Sequence, residues 1–199
     1  MRVILKKKLV LASSSQRRSA LLKQIGLEFE VAESRVPEEF DPQKNVEENV
    51  QDVALRKAVA VATSFDDAII VGADTVVVLG EDILVKPTGH RDAVEMLKRL
   101  SGRVHEVYTG FSLVDRPTNA SISAVEITKV KFRELPLEEI SEYVLSGSPL
   151  DKAGAYGIQD DYGAVFVERI DGCFYNVVGF PLAKFYVTLQ EFQKQLGLI

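Results

Sequence analysis

Apolar positions along the chain follow two rhythms, and their alternation lays out a succession of strands and helices. Residues 9–12, Leu9-Val-Leu-Ala, are short and continuously apolar, as a buried strand is. The polar turn Ser13-Ser-Ser-Gln-Arg-Arg-Ser follows. Leu21, Leu22 and Ile25 then recur at helical spacing up to Gly26, a helix stop signal. Residues 29–36 predict a second strand leading into the polar loop Pro37-Glu-Glu, and Val50, Val53, Ala54, Ala58, Val61 and Ala62 mark one face of a helix over residues 46–63. The apolar run at 69–79 predicts a buried strand, and the turn Gly80-Glu-Asp sends the chain back as a short strand, Ile83-Leu-Val-Lys-Pro. A helix over 88–102 turns Ala93, Leu97 and Leu100 inward and stops at Gly102.

Between 103 and 134 the period shortens to that of strands. Val104, Val107 and Phe111 mark the first, and in the second Val130 and Phe132 alternate with Lys129, Lys131 and Arg133, a solvated sheet face. Pro136 opens a helix with Ile140 and Val144 inward, closed by Gly147. Strands at 164–167 and 176–178 and a helix from Pro181, carrying Leu182, Phe185, Leu189 and Leu196, complete the pattern. Strands and helices interleaved in this way predict an α/β fold.

A chain of 199 residues with 46% hydrophobic and 27% charged residues is long enough for a full core and ordinary in composition, so a single domain over 1–199 is expected. The net charge of -5 argues against non-specific nucleic-acid binding and leaves room for a local basic pocket. One cysteine, Cys173, cannot close an intrachain disulfide, and two histidines, His90 and His105, form no zinc-type spacing. A reducing, cytoplasmic setting is the expectation. The basic start over 1–8 precedes an apolar run too short for a signal peptide or a membrane span.

Within this pattern a few residues are out of place. Asp74 and Thr75 interrupt the apolar strand, and a carboxylate there needs a cation, a donor or a substrate unless it merely starts a turn. Gly72, two residues earlier, permits close approach of a backbone or a ligand. Ser13 and Ser15 can cap a helix whose N-terminus attracts phosphates, and Arg17 and Arg18 in its first turn are disfavoured by the helix dipole unless something negative compensates them. Lys57 lies on the apolar stripe of its helix, either snorkelling to the rim or reaching into a cleft. Glu38 can project from its loop or remain solvated, and Lys86, at the end of the returning strand, can come back beside Asp74. The small, glycine-rich stretch at 150–159 carries Asp151, Lys152 and Gln159, a cation and an amide suited to a phosphate and a base edge.

Several chemistries are absent from the sequence. It has no Walker loop, no Gly-x-Gly-x-x-Gly after a strand and no Gly-x-Ser-x-Gly elbow, which disfavours kinases, dehydrogenases and serine hydrolases. Carboxylates, lysines and arginines without a nucleophilic thiol or histidine suit attack of water on a phosphoryl group with the help of a divalent metal.

The segments Ala12-Ser-Ser-Ser-Gln-Arg-Arg, Gly72-Ala-Asp-Thr-Val-Val, Lys86-Pro, Leu100-Ser-Gly and Asp151-Lys-Ala-Gly-Ala-Tyr-Gly-Ile-Gln together resemble the Maf (septum formation inhibitor) family of nucleoside triphosphate pyrophosphatases. The resemblance spans nearly the whole chain. It implies an α/β fold of the Maf and inosine-triphosphate-pyrophosphatase type, an elongated mixed sheet with flanking helices and two lobes around a central cleft. It also implies hydrolysis of a nucleoside triphosphate to the monophosphate and pyrophosphate with a divalent cation, Mg or Mn, with Co a further candidate. Asp74 falls on the family's catalytic aspartate, Glu38 on the carboxylate that assists with metal and water, and Lys86 on a phosphate-facing lysine. Glu38 and Asp74 are the implied metal ligands. Ser13, Ser15, Arg17, Arg18, Lys57, Thr75, Lys152 and Gln159 are the implied substrate-binding set, and Arg17, Lys57, Thr75 and Gln159 resemble the branch acting on dTTP and UTP. A branch acting on 7-methyl-GTP, or a non-catalytic nucleotide-binding regulator of cell division, are the alternatives. No nucleic-acid or membrane partner is implied, and a homodimer is compatible with the resemblance. The chain departs from the family pattern at Gln16, where proline is usual, and at Asp160-Asp161, where glycine usually follows the glutamine.

Overall fold

The computed structural model describes residues 5–159 and 161–199. Residues 1–4, half of the basic start, and Asp160, the first of the two departing aspartates, lie outside the described residues. In chain order the elements are β1 (Leu9–Leu11), α1 (Gln16–Gln24), β2 (Glu30–Val31), α2 (Val46–Ala62), β3 (Ala68–Leu79), β4 (Asp82–Leu84), α3 (His90–Leu100), β5 (Val104–Arg116), β6 (Ser121–Phe132), α4 (Leu137–Leu145), β7 (Val167–Asp171), α5 (Phe174–Val178) and α6 (Leu182–Gln195). Hydrogen bonding orders the strands β2-β1-β3-β5-β6-β7, with β4 paired to β3. The sheet is mixed, because β1 runs parallel to β2 and β3 whereas β4 and β7 run antiparallel to β3 and β6.

Four sequence expectations are corrected. The strand over 29–36 forms only at Glu30–Val31, and the Ala32 amide donating to the Leu11 carbonyl is a last rung beyond it. Val31 is half exposed, so nothing apolar extends the pairing. The strands at 164–167 and 176–178 are instead a 3-10 turn over Asp161–Phe166, strand β7 and the short helix α5. Finally, Val104 faces out, because the period of two that buries Val107 also buries His105 and Thr109 and puts Val104 on the opposite face.

The chain divides into two compact units. The first draws on residues 5–74, 109–126 and 179–199. Its β1 pairs with β3 in the register Leu9↔Ile69 and Leu11↔Val71. Val10, Ala58, Val61, Ile70 and Val114 form an apolar cluster there. Helix α2 starts at a capping box in which Asn45 and Glu48 each accept from the other's backbone amide at 2.9 Å, satisfying two donors that helix geometry leaves open. Buried Asp115 pairs with Lys7 at 2.7 Å. Burial resists its ionisation, but the bonds from Lys7 and Thr118 outweigh that and hold its carboxyl below the usual range.

The second unit comprises residues 75–108 and 127–178. Its core gathers Val77, Leu84, Leu97, Val107, Phe132, Tyr143, Tyr156 and Phe166. The ring of Phe132 meets His105 and Tyr156 edge to face, at centroid distances of 4.8 and 4.7 Å.

Candidate functional site

The first unit gathers six charged or polar side chains, Ser13, Ser15, Arg18, Glu38, Lys57 and Asp74, from four stretches of chain. After β1 the polar turn caps α1. The Ser15 hydroxyl accepts from the Arg18 amide at 3.4 Å, and the Ser13 hydroxyl accepts from the Ser15 amide at 3.2 Å. The Arg18 guanidinium turns back over this cap, donating to Ser13 Oγ at 3.2 Å, to the Ala73 carbonyl at 3.0 Å and to the Gly179 carbonyl at 3.1 Å. Partial negative charge compensates this arginine, as its place at a helix N-terminus requires. Burial pulls Arg18 below the ordinary arginine value, while the charges of Asp74 and Glu38 push it back up. Arg17, its neighbour, is half-buried.

Helix α2 and strand β3 supply the centre. A methyl group on Gly72 would lie 2.0 Å from the Ala54 carbonyl oxygen and 2.8 Å from the Ala58 amide nitrogen, so only glycine lets the strand lie this close to the helix backbone. Asp74, two residues on, shares Gly72's strand face. Lys57, between Ala54 and Ala58, is thereby brought against it. Its Nζ donates to Asp74 Oδ1 at 2.8 Å, to Glu38 Oε1 at 2.7 Å and, more weakly, to the Ala73 carbonyl at 3.4 Å. Lys57 and Asp74 are 6% and 4% exposed. Lys57 does not snorkel to the rim; its ammonium is buried against the two carboxylates. Burial raises the Asp74 carboxyl above its ordinary value; Lys57 and Arg18 oppose that rise and Glu38 adds to it.

Glu38 comes from the exposed loop, yet the loop is not loose. Arg56 donates from Nη1 to the Pro37 carbonyl at 2.8 Å and from Nη2 to the Glu39 carbonyl at 2.7 Å, gripping the backbone on both sides of Glu38. Arg56 is itself held by Asp52 one helical turn earlier, at 2.9 Å. Buried Asn49 donates to the carbonyls of Asp41, Lys44 and Asn45 and fixes the same loop further along. Sequence reasoning missed both residues. The signals were an i, i+4 Asp–Arg pair and an asparagine on an apolar stripe, each of which has a bland reading on its own.

Thr75, Lys86, Lys152 and Gln159 belong to the second unit. Thr75 is half-buried in β3. The β3–β4 ladder ends with Leu84 opposite Val77, so Lys86 lies beyond the paired residues and is exposed. Lys152 is 6% exposed, with its Nζ 2.9 Å from Asp151 Oδ1. The loop that carries it turns through Gly154 (φ 69°) and Ala155 (φ 60°). A methyl group on Gly154 would come 2.8 Å from the Val77 side chain, so this glycine too permits a close contact. Gln159 is exposed.

Among the described residues no group of three or more His, Cys, Asp or Glu side chains is arranged to hold a metal ion. The pair Asp74 and Glu38, whose carboxylate oxygens converge on one ammonium, fits a hard cation such as Mg or Mn. Such ions are commonly held by one or two carboxylates, with water and substrate phosphate supplying the remaining oxygens.

A family model described as Maf-like protein matches residues 8–192. The chain belongs to the Maf family. Among its relatives, a dTTP/UTP pyrophosphatase of Acetivibrio thermocellus is 49% identical over 192 residues, covering 93% of this chain and 95% of the relative. One from Aquifex aeolicus is 46% identical, covering 96% and 98%. The fold is like that of a HAM1 protein from Coxiella burnetii, with a TM-score of 0.51 at 14% identity, covering 92% of this chain and 98% of that one. The α/β architecture of the Maf family is thus present in this chain.

Proposed function

We propose that this Maf-family chain hydrolyses dTTP and UTP to the nucleoside monophosphate and pyrophosphate, acting as one Maf-like domain over its whole length. The observation that carries this is the near-full-length identity of 42 to 49% to relatives that bear the name dTTP/UTP pyrophosphatase. The carboxylate pair around Lys57 supports the same reading.

In this reading water attacks the α-phosphorus, the bond from that phosphorus to the bridging oxygen breaks, and pyrophosphate leaves. Asp74 takes the proton from water. Its burial, which raises the carboxyl, moves it toward the range in which a general base works at neutral pH. A divalent cation, Mg or Mn, held by Glu38 and Asp74 would supply Lewis-acid polarisation of the phosphate oxygens. Arg17, Lys86 and Lys152 meet phosphate charge, and Ser13 and Ser15 shape the turn that faces it. Arg18 positions that turn and the Ala73 carbonyl. Thr75, Lys57 and Gln159 complete the substrate set, with the Gln159 amide able to pair with the imide edge of thymine or uracil. A cytoplasmic setting accords with the single half-buried Cys173. No helix among the described residues is long and apolar enough to cross a membrane.

The test is pyrophosphate release from dTTP, UTP, CTP, GTP, 7-methyl-GTP and ITP with Mg or Mn. Preferential release from dTTP and UTP is expected. Preference for 7-methyl-GTP, or silence from folded protein that still binds nucleotide, overturns the reading.

A further inference from the structure

Building on the metal-assisted reading above, we propose that Lys57 is the resident cation of the Glu38–Asp74 pair, so that the divalent metal binds only weakly to the nucleotide-free protein and enters together with the nucleotide. An ammonium has three N–H donors, and Lys57 directs all three at Glu38 Oε1, Asp74 Oδ1 and the Ala73 carbonyl. The two carboxylates proposed as metal ligands are therefore already neutralised by a cation belonging to the protein. Lys57 and Arg18 balance the charges of Glu38 and Asp74, and Arg17 adds a further positive charge that acts on Arg18. A dication added to such a cluster sits beside an ammonium in a site that is nearly dry at Lys57 and Asp74, whose side chains are 8% and 6% exposed, and like charges repel strongly there.

Lys57 has little room to step aside by itself. Its neighbours on the helix face, Val53, Ala54, Ala58 and Val61, are buried, and Gly72 holds β3 against that face. A triphosphate changes the balance, because its oxygens offer the ammonium new acceptors and bring the negative charge that a dication needs. The exchange is one of partners: the ammonium moves from carboxylate to phosphate oxygens as the carboxylates turn to the metal. In the nucleotide-free state the same ammonium keeps Asp74 and Glu38, two like charges on one partner, from repelling each other.

The experiment is a Mn(II) titration of nucleotide-free protein, read from the electron paramagnetic resonance signal of free aquated Mn(II), for wild type, Lys57→Gln and Lys57→Met. Glutamine keeps donors and loses the charge; methionine loses both. Removing the positive charge is expected to tighten Mn(II) binding by about tenfold or more, and adding Asp74→Asn to either variant should abolish the gain. In wild type, a non-hydrolysable α,β-methylene analogue of dTTP should raise Mn(II) affinity beyond what the analogue binds on its own. Unchanged affinity in folded Lys57 variants overturns the proposal and leaves Lys57 a structural counter-charge. Should neither variant fold, the two wild-type titrations decide, and equal affinity with and without analogue overturns it. Because no turnover is read, failure here is distinct from failure of the pyrophosphatase reading, which the nucleotide panel alone decides.

Discussion

Gly72 and Asp74 share one face of β3, and the absence of a side chain on the first brings the second to Lys57. A Cβ at 72 would lie 2.0 Å from a backbone oxygen of α2, which no side-chain adjustment can relieve. Gly72→Ala is expected to destabilise the fold by about 3 kcal/mol, the upper end of overpacking costs, and to lower turnover in the protein that still folds. Urea unfolding and pyrophosphate release measure the two effects. Wild-type stability in the variant would mean that helix and strand can separate without cost.

Asp74→Asn keeps the size of the side chain and an oxygen that can accept from Lys57. Turnover should fall by about 10²- to 10⁴-fold, the range for loss of a general base, with an unchanged far-ultraviolet circular dichroism spectrum. Near-normal turnover would remove Asp74 from the chemistry.

Arg56 never touches Asp74 in this arrangement, but it holds the carbonyls on either side of Glu38. Arg56→Ala should lower kcat/KM by about 10- to 100-fold through misplacement of that carboxylate. Arg56→Lys should not restore it, because an ammonium lacks the planar fork that reaches two carbonyls together. Hydrogen exchange of the amides at 38–41 should quicken in both variants; slow exchange with lost activity would point to a direct role for Arg56.

His105 makes the stability of the second unit depend on pH. Its Nε2 lies 2.8 Å from the Tyr156 hydroxyl, its Nδ1 is buried with no hydrogen-bond partner, and burial depresses its pKa from 6.5 to about 4. The unfolded chain therefore binds a proton between pH 6.5 and about 4 that the folded chain refuses. Stability is complete above 6.5 and falls as the pH drops toward 4, by about 3 kcal/mol from this residue. Urea unfolding at pH 7.5 and 4.5 reads the loss, and His105→Gln should flatten it. An identical slope in the variant would assign the acid sensitivity to other groups.

Gln159→Ala should shift kcat/KM between dTTP and CTP by about tenfold while leaving the Mn requirement unchanged, since the pairing of one amide with the base edge is what is lost. Equal loss on every nucleotide would make Gln159 structural.

The helices and the central strand were legible in the sequence because their signals are local: Ser15 at an N-cap, Gly26 and Gly147 at stops, and an unbroken apolar run for β3. The geometry that positions the candidate site was legible only in part. Asp74 and Lys57 stood out as polar groups in apolar stretches, but nothing along the chain says that Gly72 faces the backbone of α2 rather than a ligand. Arg56 and Asn49 act on backbone carbonyls, which leave no residue pattern to read. The misread segments failed for tertiary reasons. Residues 176–178 read as a strand, yet the Asn176 side chain donates to the Val107 carbonyl at 2.9 Å and to Thr128 Oγ1 at 3.0 Å, contacts made in a helical turn.

The Arg18 guanidinium joins the turn after β1, the Ala73 carbonyl and the Gly179 carbonyl, three places far apart along the chain. The first unit is likewise drawn from three separate segments, of which 179–199 comes last. During synthesis, Lys57, Glu38 and Asp74 all leave the ribosome well before the strand and helix residues that complete their unit. A growing chain thus carries Lys57, Glu38 and Asp74 before it carries the Gly179 carbonyl, so the three acceptors of Arg18 exist together only once residue 179 has been added.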